Sequence, residues 1–262
     1  MKADYAAVFQ AASAVDKYER VVYAPDGYWS AVSTRQRAYL RELIRRAFPH
    51  RRPVQHDFAC GTGRAIRLLH DSVRAAHGYD TSAAMLDRAR DGGVHAELHA
   101  IGQDGPVPEP ATVDGPAVVT VFRLLLNVSP ELRDRAVAFA ARVLPARQDG
   151  VLIVENHGNR RSLRHLSRRR HAGDPWYAEL SHVDVRRLLG RHGFEVVAWR
   201  GFGLCPPGAY RSRWLRPVAR RLDDIAARYG ALAGWSPVVL YVARRLRAPR
   251  TDRRPSPGRT PR

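Results

Sequence analysis

Short apolar runs alternate with amphipathic segments along the first part of this chain. A short strand is predicted after Pro53, apolar runs occupy 117–122 and 150–154, and segments with helical spacing of apolar residues lie between them. Strands that alternate with helices in this way predict βαβ units and a parallel sheet. Because such sheets bind ligands at the carboxyl ends of their strands, the residues that follow each run are the candidates for a functional site.

The order changes towards the end of the chain. After Gly193, the segments 194–199 and 237–244 both have strand character. The stretch 201–235 lies between them and is broken by Pro206-Pro207-Gly208. We interpret this stretch as a variable element beside the substrate.

A helical segment is also predicted ahead of the first strand. The stretch 5–28 is rich in tyrosine and has helical character, and 33–48 predicts an amphipathic helix capped by Ser33 or Thr34. We therefore expect residues 1–50 to form a helical leader or cap over the site.

Length and cysteine content limit the class of protein. A chain of 262 residues with 45% hydrophobic content is long enough for one sizeable α/β core. The two cysteines, Cys60 and Cys205, are too few for a disulfide framework or a cysteine-based zinc site, which favours a reducing, cytoplasmic location. No secretory signal pattern opens the sequence, and no apolar run approaches the ~20 residues that cross a bilayer.

The formal net charge of +19 leaves two interpretations open. Such a charge is typical of proteins that bind nucleic acid, phospholipid or another polyanion. Only Lys2 and Lys17 are lysines, however, and an excess of arginine is equally expected from a GC-rich genome. Part of the charge lies in 247–262, a Pro/Arg-rich tail that we expect to be disordered.

A second basic segment, 159–170, is either a solvated face or a receiver of substrate. Leu163 and Leu166 are its only apolar residues. Because it follows the strand at 150–156, it would lie beside the site, where it suits a phosphorylated or acidic substrate or a membrane surface. Peripheral contact of this segment with a membrane is therefore one of the expected interactions.

The chemistry of the chain is concentrated where the first two predicted strands end. The first ends in Asp-Phe-Ala-Cys-Gly-Thr-Gly at 57–63, and the second in Gly-Tyr-Asp at 78–80. Glycines let the backbone turn sharply and let a ligand approach the main chain. Asp80 stands where an acid can accept hydrogen bonds from a ribose diol. Dinucleotide binding is disfavoured, because Ile66 occupies the third small position of that fingerprint.

These segments resemble two motifs of the class I S-adenosylmethionine-dependent methyltransferases. The resemblance continues through 114–144 and 150–157 to the helix and strand at 184–199, and covers about four fifths of the chain. It implies a Rossmann-like α/β fold: a seven-stranded, mostly parallel sheet with an antiparallel last strand and helices on both faces. It also implies a methyltransferase domain at 51–246, with 158–180 and 201–235 as variable elements on the substrate side.

The resemblance implies S-adenosylmethionine as cofactor and gives roles to particular residues. Gly61, Thr62 and Gly63 would contact its methionine portion, Asp80 the ribose and Met85 the adenine face. Asp57 would reach the amino group or organise the turn, and Asp104 would hydrogen-bond the adenine amine. The remaining expected cofactor contacts are Ala59, Thr81 and Phe122.

Three further residues are candidates for catalysis. Arg123 offers a rigid fork for a carboxylate or phosphate, and its alternative role is a salt bridge that steadies the loop. Asn127 would orient a nucleophile or cap the next helix, although Ser129-Pro130 already supplies a helix start. His157 is placed to act as a general base. A metal site built from His157, His165 and His171 lacks a recognisable ligand spacing, so we expect no metal.

The family leaves the acceptor open. We expect a small molecule, such as a sugar, a lipid-linked intermediate or a secondary metabolite, that is methylated on O or N. An anionic or phosphorylated acceptor is one form of this expectation. A nucleic-acid methyltransferase is less favoured, because Phe-Arg-Leu-Leu at 122–125 replaces the Asn/Asp-Pro-Pro-aromatic motif of many such enzymes. A non-catalytic protein that binds S-adenosylmethionine is the third alternative. The oligomeric state stays open.

Overall fold

The computed structural model describes residues 27–111, 115–126, 128–146, 150–162, 165 and 179–246. Seven strands are present in the described part of the chain: β1 Val54–Phe58, β2 Ala75–Asp80, β3 Glu97–Ala100, β4 Ala117–Val121, β5 Gly150–Asn156, β6 Phe194–Phe202 and β7 Val238–Arg245. The α-helices are α1 Tyr28–Ala47, α2 Arg64–Leu69, α3 Ala83–Asp91, α4 Pro130–Val143, α5 His182–Arg191, α6 Pro207–Arg211 and α7 Leu215–Ala226. Two 3₁₀ turns, His70–Ser72 and Gly230–Trp235, complete the described elements.

The strands form one sheet in the order β3-β2-β1-β4-β5-β7-β6. Strands β1 to β5 pair in parallel, and β7 is antiparallel to both of its neighbours. The strand order reverses between β1 and β4, so the carboxyl ends of these two strands flank the crevice where such sheets bind ligands. The predicted seven-stranded sheet with an antiparallel last strand is confirmed.

Helices cover both faces of the sheet, as predicted. On one face, α4 and α5 pack through Phe139 and Leu189 against alternate residues of the central strands. On the other face, α1 and α2 pack through Leu40 and Leu69 against the intervening residues, such as Ile153. Strands β1, β4 and β5 are fully buried along their length, which explains the nearly continuous apolar runs of β4 and β5. Strand β1 instead buries Gln55, His56 and Asp57.

The helix before the sheet begins earlier than the sequence pattern predicts. We expected a start at Ser33 or Thr34, but α1 begins at Tyr28 with Gly27 as its N-cap. The aromatic ring of Tyr28 is buried, and its hydroxyl donates to the carbonyl of Gly203, so tertiary packing extends the helix by more than a turn. The leader residues 1–26 and the tail 247–262 lie outside the described residues.

The start of β5 depends on a glycine. Gly150 has a φ of +152°, and a Cβ placed there would lie 1.7 Å from the carbonyl oxygen of Ala117 in the neighbouring strand. Gly190 in α5 has no atom within 4 Å of such a Cβ. The two positions therefore form a matched pair for the same substitution.

We expect Gly150→Ala to lower the free energy of unfolding by about 3 kcal/mol or more, because the two strands must separate to admit the methyl group. Gly190→Ala should instead raise it by up to about 1 kcal/mol, since alanine is the better helix former. Urea unfolding of both variants measures the difference. Equal effects of the two substitutions would contradict this account of the β4–β5 pairing.

Candidate active site

The turn after β1 is a left-handed loop that ends in the amino terminus of α2. Ala59, Gly61 and Gly63 have φ values of +57°, +54° and +81°. The amide of Cys60 donates to the carbonyl of Tyr79 on β2, which fixes the loop over the end of the next strand. Residues with a Cβ rarely adopt a positive φ. Gly61 and Gly63 adopt it without strain, whereas Ala59 adopts it at a cost in free energy.

Asp80 ends β2 directly beside this loop. Its carboxylate accepts the amide of Gly61 at 2.7 Å and the amide of Ser82 at 2.9 Å, and the backbone of Thr81 also donates to it. Burial raises the pKa of Asp80, and these backbone donors partly offset the rise. The acid is thus held in one orientation at the junction of the two strand ends.

Met85 and Thr62 line the same junction. Met85 is 7% exposed, and its sulfur lies 4.0 Å from the position that a Cβ of Gly61 would take. The Thr62 side chain is 2% exposed, and its hydroxyl has no hydrogen-bond partner among the described residues. A buried hydroxyl without a partner costs free energy, so Thr62 supplies a polar group that a bound ligand can satisfy.

Asp57 lies beneath the turn, inside the sheet. Its carboxylate accepts the hydroxyl of Thr120 on β4 at 2.6 Å, and that hydroxyl accepts from Gln55 at 3.0 Å. Burial raises the pKa of Asp57 to about 7, and the nearby carboxylates of Asp80 and Glu155 act in the same direction. Of the two roles predicted for Asp57, this position agrees with organising the turn.

A buried ion pair connects three elements around the turn. Arg64, the first residue of α2, lies 3.3 Å from the carboxylate of Glu155 on β5. Gln36 of α1 donates to Glu155 at 2.9 Å and accepts from Arg64 at 2.6 Å, and the hydroxyl of Ser33 also accepts from Arg64. We call Arg64, Glu155 and Gln36 the buried network.

Arg123 and His157 follow β4 and β5, on neighbouring strands of the sheet. Burial raises the pKa of Glu155, but the positive charges of Arg64, Arg123 and His157 outweigh it, and the pKa lies below its usual value. The guanidinium of Arg123 also stacks on the ring of Trp29 in α1, 4.2 Å from its centre, and Arg123 has a φ of +57°. Two of the three predicted catalytic residues, Arg123 and His157, thus follow neighbouring strands and both lower the pKa of one carboxylate.

The remaining predicted site residues are Phe122, Asp104 and Asn127. Phe122 is buried after β4, with the guanidinium of Arg64 6.0 Å from its ring centre. Asp104 is exposed in the loop after β3, a loop whose carbonyls at Gly102 and Gln103 accept from Arg135 of α4. Asn127 lies outside the described residues, and Ser129 caps α4 by accepting the amide of Leu132.

Sequence reasoning missed the buried network. Arg64 follows the glycine turn, and Glu155 is an acid within an otherwise apolar run, a combination that signals a buried pair because an isolated charge is costly there. Gln36 and Trp29 carried no comparable signal, since a polar residue on a helix usually faces solvent.

The segment after β5 is held by two asparagines. Asn156 donates to the carbonyl of Leu180, and Asn159 donates to the carbonyls of Gly234 and Ser236 at 3.0 and 2.9 Å. These side chains attach the first part of the basic segment 159–170 to the 3₁₀ turn before β7. Residues 163–164 and 166–178 lie outside the described residues.

Histidines elsewhere in the sheet have structural partners. His56 is buried, its ring contacts the hydroxyl of Tyr79 at 3.2 Å, and burial lowers its pKa to about 4. His77, Glu97 and His99 have ligand atoms within 4.8 Å of one another, the arrangement in the described part of the chain that would suit a metal. The Nδ1 atom of His77 lies 3.2 Å from the carboxylate of Glu97, and burial lowers the pKa of His77, which favours the neutral ring in this contact.

Comparison with known proteins agrees with this geometry. Residues 56–154 match the family model of a methyltransferase domain. No curated protein matches the chain by sequence. Every helix in the described part of the chain is too short or too polar to cross a bilayer.

Solved structures share the fold at low identity. Magnesium protoporphyrin IX methyltransferase from Synechocystis PCC 6803, with bound S-adenosylhomocysteine, matches at a TM-score of 0.56 and 14% identity, over 89% of this chain and 94% of that one. A chain in a complex of the Trm112 methyltransferase activator of Haloferax volcanii matches at a TM-score of 0.56 and 16% identity, over 94% of this chain and 99% of that one. A Thermotoga maritima protein described as a possible histamine N-methyltransferase matches at a TM-score of 0.53 and 17% identity, over 90% of this chain and 97% of that one.

The chain has the fold of these solved structures, and residues 56–154, which include the glycine turn and its two acids, match the model of a methyltransferase domain. The domain match begins in β1 and ends in β5, so it contains the turn, Asp80 and Arg123.

The position of Asp57 predicts a pH effect on stability. Because its pKa is about 7 in the folded protein and about 3.9 in an unfolded chain, its contribution favours folding most below pH 4 and is lost as the pH rises to 7. Asp57→Asn cannot ionise, so we expect the variant to gain stability relative to wild type between pH 5 and pH 8. Urea unfolding at both pH values measures this, and a difference that does not change with pH would contradict the assignment.

Proposed function

We propose that the protein transfers a methyl group from S-adenosylmethionine to an oxygen or nitrogen of a small molecule that carries an anionic group. The observation that supports this proposal is that Arg123 and His157 follow the paired parallel strands β4 and β5, on the side where Glu155 lies, and both residues lower the pKa of Glu155. A sugar, a lipid-linked intermediate or a secondary metabolite with an acidic or phosphoryl group would meet these requirements. The two free thiols, Cys60 and Cys205, suit a reducing, cytoplasmic location.

The residues of the turn fit the cofactor. Bound S-adenosylmethionine supplies a methyl group on a positively charged sulfur. The loop at Gly61–Gly63 gives backbone access and the Thr62 hydroxyl, Asp80 is fixed for a ribose diol, and Met85 gives an apolar face for a base. The buried carboxyl of Asp57 bonds Thr120 and so joins the end of β1, where the loop begins, to β4.

Arg123 would position the acceptor. A guanidinium binds a carboxylate or phosphate through two parallel hydrogen bonds, and stacking on Trp29 limits its freedom before binding. An acceptor held in line with the sulfur–methyl bond needs little other help, because a near-attack geometry can supply roughly 7 to 11 kcal/mol of the barrier. The competing role of Arg123, steadying the loop, is compatible with the same contacts.

His157 would receive the proton of the acceptor. In the reaction the nucleophile forms a bond to the methyl carbon, the sulfur–carbon bond breaks with its electron pair left on sulfur, and the nucleophile's proton passes to the imidazole. The negative charge of Glu155 would stabilise the imidazolium that results. A base is required only where the attacking atom carries a proton at neutral pH.

Calorimetric titration with S-adenosylmethionine, S-adenosylhomocysteine and NAD tests the cofactor site. We expect micromolar binding of the two sulfur compounds and none of NAD. Asp80→Ala should weaken S-adenosylhomocysteine binding at least tenfold, because the ribose loses its acceptor, with a near-native far-UV spectrum. Asp87→Ala, at an exposed acid on α3, is the control. Unchanged affinity in Asp80→Ala would refute the ribose assignment.

A second variant separates acceptor positioning from cofactor binding. Arg123→Ala should leave S-adenosylhomocysteine affinity within about twofold and reduce methyl transfer at least a hundredfold, because the acceptor loses its anchor. Labelled S-adenosylmethionine and a panel of anionic small molecules measure the transfer. Arg187→Ala, at an exposed arginine of α5, is the control. Loss of folding in Arg123→Ala, or unchanged transfer, would contradict the assignment.

A further inference from the structure

Helix α7 presents a large apolar face to solvent. The six residues of this face, which we call the apolar stripe, are between 46% and 82% exposed: Trp214, Leu215, Val218, Leu222, Ile225 and Tyr229. Single exposed apolar residues are common on soluble proteins, but a contiguous set on one helix marks an interaction surface. Trp214 lies in the stretch 201–235 that the sequence pattern places beside the substrate, and it is the most exposed of the six.

The stripe is separate from the face that holds α7 to the domain. Leu215, Val218, Leu222 and Ile225 are spaced by three, four and three positions, so they lie on one side of the helix. The other side packs inward through Ala219, Asp223 and Ala226. Asp223 accepts the hydroxyl of Tyr210 at 2.6 Å and the amide of Cys205 at 2.9 Å. The stripe is therefore not needed to attach the helix.

The charges around the stripe have one sign. Five exposed arginines lie on or beside α7: Arg211, Arg213, Arg220, Arg221 and Arg228. The one exposed acid among residues 207–229 is Asp224, which forms an ion pair with Arg35 of α1 at 2.7 Å. An apolar helix face bordered by arginines has the composition of helices that lie in the plane of a membrane interface.

We propose that the apolar stripe of α7 docks the protein on the surface of an anionic phospholipid membrane. The apolar side chains would enter the boundary between headgroups and acyl chains, and the arginines would contact lipid phosphates. A second copy of the chain is a poorer occupant, because a symmetric interface would bring the two sets of arginines together.

Docking at α7 would place the active site near the lipid. Arg35 of α1 bonds Asp224 and the carbonyl of Arg220, and the same helix carries Trp29, which stacks on Arg123. An amphiphilic acceptor drawn from the membrane would thus be close to Arg123, an extension that rests on the proposed function. The docking itself does not depend on it.

Sedimentation with phospholipid vesicles tests the docking. We expect the full chain to bind vesicles of phosphatidylglycerol and phosphatidylcholine, and to bind pure phosphatidylcholine much more weakly. Val218→Asp should reduce binding at least tenfold, because it places a charge within the stripe. Val183→Asp on α5 is a matched control, since the two valines are 57% and 56% exposed. Arg221→Gln should reduce binding about fivefold, with Arg186→Gln as its control.

Several outcomes would overturn the proposal. These are failure of the wild type to bind anionic vesicles, equal binding to both lipid compositions, or equal losses in Val218→Asp and Val183→Asp. Conversion of a wild-type dimer to a monomer by Val218→Asp, without vesicle binding, would assign the stripe to a second copy. Titration of each variant with S-adenosylhomocysteine separates the two proposals, because retained affinity without vesicle binding refutes the docking alone.

Discussion

The arrangement of the site depends on one buried ion pair, that of Arg64 with Glu155. Glu155 is completely buried and Arg64 nearly so, and charges in such surroundings need an opposite charge and hydrogen-bond partners. Gln36 supplies one hydrogen bond to each of them, donating to the acid and accepting from the guanidinium, while the Nε atom of Arg64 has no partner among the described residues. Because the three residues belong to α2, β5 and α1, the position of each element is fixed by the other two.

This constraint links the glycine turn after β1 to the end of β4, the two parts of the proposed site. Arg64 immediately follows Gly63, so the ion pair holds the end of the glycine turn against β5. The same interaction keeps α1 over the strand ends, where Trp29 contacts Arg123. Any movement of α1 would then alter the turn and the surroundings of Arg123 together.

The fold could be predicted from the sequence to a large extent, and the site only in part. The apolar runs and the glycine turn predicted the parallel sheet, since burial on both faces leaves a strong pattern. The start of α1 was misplaced because Tyr28 is held by Gly203, a contact 175 residues away. Gln36 was missed for a related reason: its partners are identified only once the strands are assembled. The roles of Arg123 and His157 remain predictions.

Hydrogen exchange on Arg64→Met tests most directly whether the ion pair holds α1 in place. The account predicts faster amide exchange throughout 28–47, while α4, on the opposite face, keeps its protection. Arg41→Met is the control, because Arg41 of α1 pairs with Asp71 at the surface, and there the loss should be small. Unchanged protection of α1 in Arg64→Met, or an equal loss across the whole domain, would contradict the central role of the buried network.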